Sequence, residues 1–189
     1  MNDPDGEHLM DRTLRWMGEN LSGAYDAKYP SGHPKSGEHC TNSGTAVLVF
    51  CYINVLGKIL LKGGPPSGNG VPRDKQRFTE FIVRCMPDLI DESSSHGFPQ
   101  RGFTTTTGQD WLYKVYRCGF VHQFYPNETD GWSRFPDSKK YWETVEPTRV
   151  VLNIDHLKRG FDCAIERFRT IAEQEPDLRE NFKEYILKP

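Results

Sequence analysis

Ala46-Val47-Leu48-Val49-Phe50-Cys51-Tyr52-Ile53-Asn54-Val55-Leu56-Gly57-Lys58-Ile59-Leu60-Leu61 is the most apolar run in the chain, and its reading decides the fold. With Asn42 and Ser43 placed to cap it, a helix over 42–62 is expected. Its length approaches that of a membrane span. Asn54, Gly57 and Lys58 interrupt it, and a helix apolar nearly all round also suits the centre of a soluble bundle. We read it that way, with no membrane role. Each Leu, Ile or Phe buried there would contribute roughly 1.5–3 kcal/mol, so this helix should dominate the core. Asn54 is the odd member. It reads either as a hydrogen-bonded polar group of the core or an interface, or as a polar residue facing a functional cleft.

Helical spacing recurs on both sides of this run. Leu9, Met10, Leu14, Trp16, Met17 and Leu21 mark a first helix over 6–22. A third is expected from Asp74, as cap, to about Asp88, with Phe78, Phe81, Ile82, Cys85 and Met86 as its apolar side and Pro87 in its last turns. Residues 92–109 read as a polar loop. Val150–Ile154 reads as one short β segment, after which Asp155 caps a long amphipathic helix carrying Leu157, Phe161, Ala164, Ile165, Phe168 and Ile171. A last short helix spans 177–187. Between 125 and 148, Trp132, Phe135, Tyr141 and Trp142 need packing partners, so that stretch is expected to be an ordered loop. The whole is an all-α bundle with one short β segment, a single domain over 1–189. Its core lies at about 42–172, with helices 6–22 and 177–187 as appendages.

Composition narrows the function. The chain has 189 residues and a formal net charge of −2, so no global basic field is available for nucleic acid and any RNA contact must be a local patch. Cys40, Cys51, Cys85, Cys118 and Cys163 are scattered with no CxxC, which reads as free thiols in a reducing compartment. The acidic, polar start has no signal-peptide pattern, and a cytoplasmic location is expected. The spacing His33-x5-His39-Cys40 matches no standard zinc framework, so neither a metal nor a cofactor is expected. The Gly63–Pro72 loop lacks Gly-Lys-Ser/Thr and is no phosphate loop.

The chemistry-bearing stretch is Asp110-Trp111-Leu112-Tyr113-Lys114-Val115-Tyr116-Arg117-Cys118-Gly119-Phe120-Val121-His122-Gln123-Phe124, closed by Tyr125-Pro126. As an α-helix it would turn Leu112, Tyr116, Gly119, Phe120 and Gln123 to the core. Arg117 and His122 would then flank an outward surface, about 140° apart around the axis, with Lys114, Cys118 and Val121 between them. Arg-x4-6-His is a weak signal by spacing alone, and Arg149-x6-His156 matches it too. That second pair begins in the β segment and ends in the next helix, so it lacks a common platform. The plain reading of Arg117 is a surface ion pair, and that of His122 a histidine satisfied at a helix C-terminus.

With Arg117 and His122 on a late helix of a bundle, the chain resembles the HEPN superfamily, whose ribonuclease members carry Arg-x4-6-His on a late core helix. Tyr113–His122 is also similar to uncharacterised prokaryotic members of that group. Cys118 follows Arg117 where many family motifs carry a polar residue. The resemblance implies metal-independent RNA cleavage by a homodimer in a cleft between two motif helices. The RNA supplies its own 2′-OH nucleophile. His122 moves a proton, Arg117 stabilises charge on the phosphoryl oxygens, and a 2′,3′-cyclic phosphate remains. Lys114 could hold a flanking phosphate, and Asn54 could face the cleft. Toxin or antiphage defence is the setting the family suggests, with any antitoxin or nucleotidyltransferase partner on a separate chain. The alternative is a HEPN-like module without catalysis that binds RNA, nucleotide or a partner protein.

Overall fold

The computed structural model describes residues 4–38, 43–61, 73–95, 112–113, 117, 131–146 and 149–187. These residues are mostly helical, with one small three-stranded sheet. Helices α1 (Pro4–Asp26) and α2 (Ser43–Leu60) are followed by α3 (Arg73–Cys85) and α4 (Pro87–Ser95). Strands β1 (Trp132–Ser133), β2 (Trp142–Glu146) and β3 (Arg149–Asn153) lead into α5 (Ile154–Gln174) and α6 (Pro176–Leu187).

The apolar run is the centre of the core, as its composition demands. Ala46, Val49, Phe50, Ile53 and Leu56 of α2 are fully buried. By length and composition α2 could cross a membrane, and 56% of it is buried inside the protein, as in the core helix of a soluble bundle. Two of its three interruptions have local causes. Gly57 lies against α3 so closely that a Cβ would collide with the Arg77 carbonyl. Lys58 is exposed and holds its ammonium 4.0 Å from the Tyr185 ring centroid of α6, a cation–π contact that keeps the charge in water.

Several boundaries differ from those expected. The helix predicted to run through Pro87 stops at Cys85. Proline inside a helix removes a hydrogen bond and clashes with the carbonyl four residues back, whereas at a first helical position its fixed φ is suitable. Pro87 therefore begins α4, which occupies part of the predicted polar loop. Met86, Leu89 and Ser93 are buried there. Asp74 is not a cap but a first-turn residue of α3.

Likewise the cap of α5 is Asn153, not Asp155. Its Oδ1 accepts from the backbone N–H of Asp155 (3.0 Å) and His156 (3.3 Å), while Nδ2 donates to the carbonyls of Phe135 (3.2 Å) and Lys140 (2.9 Å). Asp155 is buried instead. It accepts from the Tyr25 hydroxyl at 2.5 Å and Arg134 Nε at 2.9 Å, joining α1 to the strand region.

The predicted β segment is β3, and it has two partners the sequence reading missed. The strand order is β1-β3-β2, with β1 parallel and β2 antiparallel to β3; Trp132 and Trp142 both sit opposite Leu152. Trp142 is fully buried and donates from Nε1 to Ser93 Oγ at 3.0 Å, while the Glu92 carboxylate accepts from the Tyr141 and Trp142 backbone N–H groups. The sheet is thus pinned to α4. The end helices are not appendages. Met10, Leu14, Met17 and Leu21 of α1 and Leu178 and Phe182 of α6 belong to the same core cluster as Phe50, Phe81 and Phe161.

Candidate functional site

Arg117 does not face outward. It is 6% exposed, and the Asp74 carboxylate at the start of α3 lies 3.6 Å from the guanidinium. Its guanidinium carbon lies 5.4 Å from the Tyr113 ring centroid, and that ring packs edge-on to Phe78 of α3. Leu112, Tyr113 and Arg117 all lie on π-helical backbone. In an α-helix, residues five apart are about 140° apart around the axis. Bonding of the i→i+5 kind brings them toward one face. Leu112 and Arg117 are five apart and both buried, which is why the α-helical face assignment failed for the arginine.

The cation also reaches α2. Burial raises the Cys51 thiol pKa above its ordinary value, and the charge of Arg117 partly offsets this. Arg117 thus sits where α2 and α3 meet, and Asp74 divides its charge between it and Arg77, whose guanidinium donates at 3.2 Å. Asp74 was missed as a site residue because an aspartate in a first helical turn is fully explained by the helix dipole.

Asn54 lies one turn beyond Cys51 on the half-buried side of α2. Its Oδ1 is buried and has no hydrogen-bond partner among the described residues. His122 and Lys114 lie outside the described residues, as do Cys118, His39 and Cys40. His33 is described; it is an exposed loop residue stacked on Tyr29, with ring centroids 4.3 Å apart. Among the described residues no group of three or more His, Cys, Asp or Glu side chains could hold a metal.

Chemically, the described part of this site is a guanidinium held at a helix junction by a carboxylate and an aromatic face. Such a group can stabilise anionic charge or lock the junction; it cannot move protons by itself. The chain matches no protein-family model, no curated protein and no solved structure.

Proposed function

We propose that the chain is a metal-independent endoribonuclease of the HEPN kind, acting as a cytoplasmic homodimer. In this reading Arg117 stabilises the scissile phosphate and His122 transfers the proton. Lys114 holds a flanking phosphate. What supports the reading is Arg117 itself. A guanidinium set on π-helical backbone, a geometry frequent at functional sites, and fixed by Asp74 and Tyr113 is oriented before substrate arrives. Asp74 is half-exposed, so an RNA phosphate can displace it from the guanidinium.

The second reading, a HEPN-like binding module without catalysis, is favoured by the same residue's burial. An arginine side chain 8% exposed and paired to a carboxylate of α3 is what a purely structural link between elements looks like. The two readings separate on His122. Purified protein is incubated with mixed RNA in EDTA beside His122→Ala. Cleavage by the wild type alone, leaving cyclic-phosphate ends, is the expected result; equal absence of cleavage with intact RNA binding belongs to the module. Arg117→Ala is a poorer discriminator, because removing one partner of a buried pair also perturbs folding.

A further inference from the structure

A cleft of about 400 Å³ opens on the other side of α5 and shares no lining residue with the Arg117 site. His156, Arg159, Gly160, Cys163 and Arg167 recur at helical spacing along one wall. Residues 136–139 and Tyr141 form the other wall, and Asp88 of α4 contributes from the end. The volume lies within the range of small-molecule sites.

Three observations at this cleft point to a ligand. Tyr141 is 3% exposed, yet its hydroxyl makes no hydrogen bond with any described residue. That hydroxyl stands over Gly160, where any Cβ would strike it, so the glycine is what makes room for it. His156, packed edge-on to Tyr141 at 4.4 Å, has a buried Nδ1 with no hydrogen-bond partner among the described residues. A buried polar atom without a partner is uncommon and calls for an explanation. Arg159 is the third. Its guanidinium donates only to the neutral carbonyls of Pro136 (3.2 Å) and Ser138 (2.6 Å) and forms no ion pair among the described residues.

The charges around the cleft are Lys139, Arg159 and Arg167 against Asp88 and Asp137. Asp88 is engaged by Arg167 at 3.4 Å, leaving Arg159 and Lys139 as the cations of the cleft beside Asp137. Burial and the Asp88 carboxylate push the Tyr141 phenol up to about 12, so it stays a donor. Burial, and then the charge of Arg159, hold His156 below the ordinary histidine range, so it stays neutral near pH 7.

We propose that this cleft binds a small organic anion, with its oxyanion on Arg159 and the Tyr141 hydroxyl and its apolar body against the Tyr141–His156 ring pair. Phosphate monoesters and carboxylates share that chemistry. Neither hydroxyl nor guanidinium is needed for the core, since the first bonds none of the described residues and the second is exposed.

The test is calorimetric titration of the full chain with phenyl phosphate and, separately, benzoate. Saturable binding of at least one probe is expected, and which probe binds assigns the head group. Each of Arg159→Ala and Tyr141→Phe should weaken it by about tenfold, as loss of one hydrogen bond to a charged group does. The thermal midpoint of Tyr141→Phe should be unchanged. No saturable binding of either probe, or wild-type affinity in either variant, overturns the proposal.

Discussion

Arg117 carries the functional proposal, and it is buried against Asp74 and Tyr113. Its Arg-x4-His spacing was legible; its burial was not, because a 3.6-residue period was assumed where the backbone is π-helical. Burial makes its pair with Asp74 a structural matter too. Asp74→Asn should destabilise the protein by about 1–3 kcal/mol, below the range for a fully buried pair because Asp74 is half-exposed. Urea unfolding would read this as a lower midpoint with an unchanged slope. Gly57 was legible only as an interruption, since no sequence pattern reveals which backbone will lie against it. Gly57→Ala should destabilise by about 1–3 kcal/mol or more, because the Arg77 carbonyl is backbone and cannot swing away.

His156 gives a pH dependence of definite sign. Its imidazole pKa is lowered in the folded protein, by burial first and Arg159 second, against the smaller raising effects of Glu92 and Asp88. As pH falls through about 6.5, the unfolded chain therefore takes up the proton first. Stability should be lost over that window and the loss should level off below the folded pKa. Thermal melts between pH 8 and 5 should fall less steeply for His156→Gln than for the wild type.

At the scale of elements, helix interiors were legible and their ends were not. Leu157, Phe161, Ala164, Ile165 and Phe168 announce α5 by period alone, and all are buried. Its cap was misassigned because Asn153 and Asp155 are both good cap residues, and only tertiary partners distinguish them. Asn153 ties Phe135 and Lys140 as well as the helix start. Asn153→Ala should therefore exceed an ordinary cap loss, by about 2–4 kcal/mol in chemical denaturation, where an exposed cap would give roughly 1 kcal/mol. Strands β1 and β2 escaped notice for a related reason. Two residues make no period, and Trp142 to Glu146 owes its place to Leu152, Ser93 and Glu92, which lie far away in sequence.

For the whole molecule, the all-α class with a little β was legible from the apolar run and the amphipathic helices around it. That the end helices belong to the core was not, since short terminal helices can equally dock or stand alone. Because Phe182 and Leu178 pack with Phe168 and α1, removing residues 176–189 should abolish cooperative thermal unfolding rather than lower its midpoint. Ribonuclease action is tested most directly by RNA cleavage in EDTA by wild type and His122→Ala, with both shown to be folded. Cleavage that needs His122 and leaves 2′,3′-cyclic phosphate ends is the expected result. Wild-type cleavage equalled by the variant, or no cleavage by the wild type, would contradict it.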